Sequence, residues 1–305
     1  MKNHISLFIF AIALLSGPVS ANDLSMTAVK DTLASIPGEH NYIYVRTPLG
    51  EDEEKNYDEI TFYDGLGREL DFAQSYGADR AGAIMAHHHL IEYDSLGRKE
   101  KQWLSTNTSF SYMSPEDLKG GVLWDYHDAG KRSYLQTNYE SSPLNRITEQ
   151  YGVGDAWGDH PARMEYLTNI PADSLRCSFY FIDDNDSLIR RGDYRSGELQ
   201  VTKATDEDGK PTYTFVDKQG RTLLTRLGRG NQQADTYFVF DRFGRIRYVL
   251  PPMINDEISA GNLDLYAYQY LYDSFGRCIS KKLPGCAAIR YVYDKADRVI
   301  LSQNG

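Results

Sequence analysis

The sequence predicts an all-β fold: consecutive antiparallel β-hairpins forming a curved, twisted sheet ribbon. Three observations carry that expectation. Tyr and Gly are abundant, 23 and 25 among 305 residues against 11 Pro, which suits short strands joined by tight turns. Segments 59–63, 212–216, 236–240, 265–272 and 289–293 are rich in β-branched and aromatic residues. Between such segments a short motif recurs.

The motif is aromatic-Asp-x-x-Gly-Arg. It reads Tyr63-Asp64 to Gly67-Arg68, then Tyr93-Asp94 to Gly97-Arg98, with a weaker copy from Tyr126 to Gly130-Lys131. It returns as Val216-Asp217 to Gly220-Arg221, Phe240-Asp241 to Gly244-Arg245 and Tyr272-Asp273 to Gly276-Arg277. Tyr293-Asp294 to Arg298 closes the series, with Asp297 in place of the glycine. An aromatic residue ends a strand, and the Asp carboxylate accepts from backbone N–H groups two residues on. The glycine supplies the positive φ of a type I turn with a bulge, which Asp tolerates better than most residues. The arginine starts the return strand, its stem lying over an aromatic ring with its charge in water. Each copy is therefore expected to be a hairpin turn, and Asp206-Glu207-Asp208-Gly209-Lys210 another.

Helix signals are few. Residues 26–35 suit a short helix, and Ser114-Pro115 to Gly120 suits one turn with Ser114 as N-cap and Pro115 at the first position. The domain plan has four parts: a signal peptide at 1–21, an N-terminal repeat block at 22–140, a non-repeat β bridge at 141–200 and a second repeat block at 201–305. The leader rests on Lys2, an apolar run from Ile5 to Leu15, and Val19-Ser20-Ala21 as a cleavage pattern. It implies export through the Sec pathway to the periplasm, cell surface or medium. No later segment is long and apolar enough for a membrane helix.

A formal net charge of −10 argues against nucleic acid and anionic lipid as partners, since both need clustered Lys and Arg. Cys177, Cys278 and Cys286 are an odd number, so at least one thiol is free. Cys278 and Cys286 flank a turn; they either bridge it or pack unpaired, and packing is the favoured alternative.

The motif and its flanks resemble the YD repeats of the RHS family. Residues 62–68, then 92–98 and Lys101-Gln102-Trp103-Leu104, are similar to the opening of Bacteroidetes-type members. Residues 241–252, 276–285 and 293–298 are similar to later units. The resemblance spans about residues 40 to 305 and implies a segment of an RHS-type shell, whose hairpins wind into a hollow wall around a C-terminal toxin. The chain ends at Ser302-Gln303-Asn304-Gly305 with no core motif, plug or toxin tip. Toxin activity is therefore not expected of these residues, and a truncated or split gene is one expectation.

Chemistry-bearing motifs are sparse. In His87-His88-His89, strand alternation puts His87 and His89 on one face, a weak metal candidate. Asp183-Asp184-Asn185-Asp186-Ser187 resembles half a calcium loop but lacks the Gly and Glu that such a loop needs, so a polar turn is expected. Glu51 to Glu54 reads as a solvated charge run, and Gly228-Arg229-Gly230 lacks the rest of a phosphate-binding loop. No nucleophile elbow or paired acid is singled out, so no enzyme activity and no cofactor are expected. The reading is a secreted structural protein. Its partners would be proteins: the remainder of a repeat shell, a cargo toxin or a surface partner. A carbohydrate-binding surface protein, using Tyr-rich strands on glycans, is the alternative, and a secreted hydrolase the second.

Overall fold

In the computed structural model, the described residues are 40–49, 56–75, 84–228, 233–254 and 257–305, with 33, 36 and 38. The expected leader at 1–21, the helix at 26–35 (save residue 33) and the acidic run at 51–54 lie outside them, as do Arg229 and Gly230. The chain divides into two compact units, up to Pro161 and from Ala162 onward.

In the first unit β1 (Asn41–Pro48), β2 (Asn56–Tyr63), β3 (Glu69–Ser75) and β4 (Met85–Tyr93) pair in order, all antiparallel. The long β4 then serves two neighbours. Its second half pairs with β5 (Lys99–Trp103) and its first half with β6 (Thr106–Ser109). β5 continues to β7 (Tyr134–Tyr139), and β7 to β8 (Ile147–Tyr151). Alternation buries Ile60 and Phe62 of β2, Ala73 of β3 and Ala86 of β4 against Phe110, as the period of two requires.

Helix α1 (Pro115–Asp125) covers β6, with the Ser114 hydroxyl accepting from Asp117 N–H as N-cap. The sequence suggests one turn ended by Gly120, yet the helix runs on through Gly120-Gly121. Leu118 and Val122, four apart, are both buried and hold it. Gly121 is also where the helix approaches β6 closely, since a Cβ there would lie 2.8 Å from Thr106 Oγ1. The weak repeat copy at 126–131 is not a hairpin. Tyr126 ends α1, and His127–Ala129 forms a 3-10 turn. That copy has its Asp one position late, with His127 in the motif place, so no carboxylate stands where it can hold a hairpin turn.

In the second unit β9 (Ala162–Thr168) pairs with β12 (Gln200–Thr205), across a hairpin of β10 (Ser178–Ile182) and β11 (Leu188–Asp193). From β12 the ladder proceeds through β13 (Pro211–Val216), β14 (Thr222–Leu227), β15 (Ala234–Phe240) and β16 (Ile246–Leu250). After the short helix α2 (Ala260–Tyr266) it resumes with β17 (Tyr268–Tyr272), β18 (Cys278–Lys282), β19 (Ile289–Tyr293) and β20 (Val299–Gln303). The β10–β11 hairpin forms a second layer over this sheet. Tyr180 meets Tyr237 edge-on at 4.8 Å, and Cys177, Leu188, Val201, Phe215, Leu224 and Val239 close a core beneath it. Burial thins toward the last strand, where every β20 side chain is exposed.

The three cysteines are free. Register explains why Cys278 and Cys286 do not bridge: β18 pairs with β19 through Ser280↔Arg290 and Lys281↔Ile289, leaving Cys286 in the connecting turn before the first paired residue.

Candidate functional site

The recurrent feature is the turn, so the site is built from it. In the first copy Asp64 Oδ1 accepts from the N–H groups of Leu66 (2.8 Å) and Arg68 (2.9 Å), and Arg68 Nε donates to Asp64 Oδ2 at 2.7 Å. Asp64 N–H donates to Arg68 C=O at 2.9 Å, and Gly67 N–H to Asp64 C=O at 3.0 Å. Gly67 takes φ 79°, and the ladder slips by one residue at Phe62/Tyr63. This is the bulged turn expected from the sequence. The same contacts recur at Asp94–Arg98, Asp217–Arg221, Asp241–Arg245, Asp273–Arg277 and Asp294–Arg298. Gly97, Gly220, Gly244 and Gly276 share the positive φ, as does Asp297 at 60°.

These aspartates are held below the usual carboxylate range. At Asp64, Asp94 and Asp294 the arginine's backbone N–H is the largest cause. At Asp217, Asp241 and Asp273 burial is the largest influence and opposes the shift, but the arginine's N–H and guanidinium outweigh it.

The arginine also reaches forward. Its guanidinium lies on the ring of the next turn, and Arg245 and Arg277 also lie over Phe243 and Phe275 of their own turns, at 4.9 and 5.0 Å. Arg68 covers Tyr93 at 4.5 Å, Arg98 covers Tyr139 at 4.7 Å and Arg221 covers Phe240 at 5.1 Å. Arg245 covers Tyr272 at 4.7 Å and Arg277 covers Tyr293 at 5.1 Å. The covered tyrosine answers through its hydroxyl, which donates to the carbonyl of the residue just after that arginine. Tyr93 reaches Glu69 (2.7 Å), Tyr139 reaches Lys99 (2.9 Å), Tyr272 reaches Ile246 (2.9 Å) and Tyr293 reaches Cys278 (2.8 Å). Burial raises the Tyr93 and Tyr272 phenols, so these hydroxyls stay protonated donors. Arg98 Nη1 further donates to Glu140 C=O at 2.9 Å, Arg245 Nη1 to Asp273 C=O at 3.4 Å and Arg277 Nη1 to Asp294 C=O at 3.3 Å. At these five joints a turn is latched to its successor by a cation–π contact, and the four tyrosine joints add hydrogen bonds.

Two further turns held by a carboxylate sit in the stretch read as lacking the repeat, the first of them two residues longer than the motif turn. In one, Glu140 takes the place of the aspartate, accepting from Ser142 Oγ and from Arg146 Nε and Nη2 at 2.7–2.8 Å, with Asn145 at φ 54°. The Arg146 guanidinium and Ser142 hydroxyl pull the Glu140 carboxyl down to about 2. In the other, Asp183 Oδ1 accepts from Asn185 and Ser187 N–H, and Asp186 adopts φ 66°. The half calcium loop is therefore a polar hairpin turn, and Asp186 is spent on a bidentate pair with Arg247 at 2.5 and 3.0 Å. The turn at 206–210 forms as expected, with Asp206 Oδ1 accepting from Lys210 N–H at 2.7 Å.

Of the three adjacent histidines, His87 is exposed and His89 half-buried on one face, as alternation requires, and burial lowers the His89 pKa. His89 is tilted against Phe72 at 6.2 Å. Among the described residues no group of three His, Cys, Asp or Glu is placed to hold a metal. The histidine with partners is His88, buried at 1% exposure. Its Nδ1 lies 2.6 Å from Asp71 Oδ2 and its Nε2 2.9 Å from Ser109 C=O. A carbonyl only accepts, so Nε2 carries a proton, and His88 ties β4 to β3 and to the end of β6. Nothing in the sequence separates His88 from its neighbours beyond the parity of the strand.

A family model described as a domain of unknown function, DUF6443, matches residues 41–168, the stretch that holds the turns at Asp64, Asp94 and Glu140. No curated protein matches the chain. Among solved structures, the crystal structure of TcdB2-TccC3 is similar with a TM-score of 0.53 at 13% identity, over 87% of this chain and 12% of that one. TcdB2-TccC3-Cdc42 gives 0.55 at 14% identity, over 87% and 12%. TcdB2-TccC3 without its hypervariable C-terminal region gives 0.55 at 13%, over 92% and 13%. The chain thus spans about an eighth of the length of these proteins. At such identity the likeness is one of fold: the open antiparallel sheet expected from the repeat is the sheet found.

Proposed function

We propose that this chain is a structural wall segment of RHS type, exported and non-catalytic by itself, that acts by enclosing or contacting another polypeptide. The observation that carries the reading is the latch, in which the arginine of one turn grips the aromatic ring of the next, repeated from Arg68–Tyr93 to Arg277–Tyr293. Such a device propagates a sheet rather than building a pocket. It spends the chemistry-bearing side chains of the motif on joints: the aspartate holds its turn, the arginine its neighbour's ring, and the tyrosine hydroxyl a carbonyl. The fold likeness to TcdB2-TccC3 supports the same reading, as does the similarity of residues 62–104 to Bacteroidetes-type repeat proteins. One ring face of each of Tyr93, Tyr139, Tyr272 and Tyr293 is covered by a guanidinium group, so for these tyrosines the structural reading is preferred over sugar binding. The test is cross-linking of the native protein in its host, followed by identification of what is joined to it. A repeat-bearing polypeptide or an enclosed cargo is expected. A monodisperse monomer at high concentration with no cross-linked partner would overturn the proposal.

A further inference from the structure

The joint between Arg221 and Phe240 differs from the tyrosine joints. It ends in phenylalanine, so no tyrosine hydroxyl ties it to the Thr222 carbonyl. At Arg98, Arg245 and Arg277, Nη1 is spent on the carbonyl of the next turn. Arg221 holds Asp217 through Nε and Nη2 and donates from Nη2 to Gln219 Oε1, but among the described residues its Nη1 makes no hydrogen bond. Beside this joint lies an open groove of about 300 Å³, between β10 and the turns at Asp217 and Asp241. Phe179, Phe181, Tyr194 and Phe240 line it. Phe179 stacks on Phe181 with ring centroids 5.5 Å apart and meets Tyr194 edge-on at 4.9 Å. Both phenylalanines are half-buried, and neither belongs to the core beneath the hairpin. Arg242 also lines the groove, exposed and without a carboxylate partner among the described residues, its guanidinium 4.9 Å from the centre of the Phe243 ring. The one carboxylate of the lining, Asp241, is held by Arg245.

Resting on the wall-segment reading, we propose that this groove receives an acidic segment of the contacted polypeptide. An aromatic side chain of that segment enters among the β10 rings and Phe240, and a flanking carboxylate pairs with Arg221 Nη1 and Arg242. The volume lies at the lower end of the roughly 300–1,000 Å³ of ligand pockets, which suits one ring. Half-buried aromatic walls favour a ring in offset or edge-on contact. A guanidinium without a carboxylate partner, beside an N–H without an acceptor, favours an anion, although the chain as a whole carries a net charge of −10. A polypeptide fits better than a small anion, because apolar and cationic surface continues past the groove onto Phe243, 67% exposed, and the exposed Lys218. The turn at Asp241 has both neighbouring turns in place, joined through Arg221 and Arg245, so the groove is a completed part of the ladder. Asp217 already fixes the Arg221 fork, so little side-chain freedom is lost there on docking.

The probe is the peptide acetyl-Glu-Phe-Glu-amide, titrated into the full chain and followed by NMR. Saturable shifts are expected at the amides of β10 and of the turns at 217–221 and 241–245. The Lys-Phe-Lys and Glu-Ala-Glu counterparts should each bind about tenfold more weakly, the factor carried by about 1.4 kcal/mol. Added salt should weaken the Glu-Phe-Glu peptide. Arg242→Ser installs the residue that the turns at Asp94 and Asp273 carry at the same place. It should leave the melting temperature unchanged and weaken the peptide severalfold. Arg242→Glu should reverse the preference, so that Lys-Phe-Lys binds more tightly than Glu-Phe-Glu. Because the peptide series is read on the unaltered protein, it stands even if a variant loosens the turn. Equal affinity for the three peptides, or no shift at millimolar peptide, would overturn the proposal. So would phenylacetate binding as tightly as the Glu-Phe-Glu peptide, which would make the groove a small-molecule site. The wall-segment reading survives those results and fails instead on the cross-linking experiment.

Discussion

The hydroxyl of Tyr93 donates to the carbonyl of Glu69 at 2.7 Å, and Glu69 directly follows the arginine that lies over the Tyr93 ring. One residue thus contacts its predecessor twice, through its face and through its edge. Tyr93→Phe removes the hydrogen bond alone and should cost about 0.5–1.5 kcal/mol. A double-mutant cycle of Arg68→Gln with Tyr93→Leu should show a coupling of about 0.5–1 kcal/mol, small because Arg68 is partly in water. Urea unfolding measures both. Strict additivity in the cycle would show that the two side chains are neighbours without interacting.

The two glycines of the first turns separate backbone strain from latch damage. Gly67 and Gly97 have nearly the same φ, 79° and 80°. A Cβ on Gly67 meets nothing within 4 Å, but one on Gly97 lies 3.0 Å from Arg68 Nη1. Gly67→Ala should cost about 1–2 kcal/mol, the price of a left-handed conformation for a side-chain-bearing residue. Gly97→Ala should cost more, because the new methyl group pushes Arg68 off the Tyr93 ring. Equal melting temperatures for the two variants would show that Arg68 relocates freely.

Acid should weaken the first unit through Glu140. Its carboxyl sits at about 2 against an ordinary 4.5. A depressed folded-state pKa contributes stability that is fully present above about pH 4.5 and is lost as pH falls toward 2. Glu140→Gln should be less stable than the native chain at neutral pH, and its melting temperature should fall less steeply between pH 4.5 and 2. Parallel slopes in that window would place the acid sensitivity in other carboxylates.

These residues also mark how far the sequence could be read. The turns at Asp64, Asp94, Asp217, Asp241, Asp273 and Asp294 were legible because the carboxylate and the positive-φ residue are both local requirements, fixed within five residues. The turn at Glu140 was not, since Glu replaces Asp and two extra residues, one of them Pro143, lengthen the loop. The partner of each arginine was not legible either. Arg98 meets Tyr139 across α1 and two strands, a spacing set by what intervenes rather than by the motif. The continuation of α1 past Gly120 came from tertiary burial of Leu118 and Val122, which overrides local propensity. His88 was hidden among three identical residues, and the register of β3 against β4 chooses it.

Two buried arginines fasten the cover of the second unit, Arg247 through Asp186 in the hairpin turn and Arg226 at the hairpin's root. Arg226 on β14 is 3% exposed and holds both oxygens of Asp235 on β15, Oδ1 at 2.7 Å and Oδ2 at 2.5 Å. Its Nη1 donates to the Ser174 and Arg176 carbonyls, each at 2.9 Å, in the segment leading into β10. Burial disfavours the charge, but the Asp235 contact more than offsets it and raises the Arg226 pKa. Arg226→Met should therefore leave two carbonyls without their donor and the Asp235 carboxylate with only the Tyr237 hydroxyl, at a cost of about 3–5 kcal/mol. Asp235→Asn should cost less, because the carbonyl contacts remain. Arg226→Met combined with Asp235→Leu should recover part of the loss, since no buried charge is left unpaired. Native-state hydrogen exchange locates the effect: in Arg226→Met the amides of β10 and β11 should exchange faster than those of β17 and β18. Uniform acceleration across the unit would mean that Arg226 supports the sheet as a whole and not the hairpin laid over it.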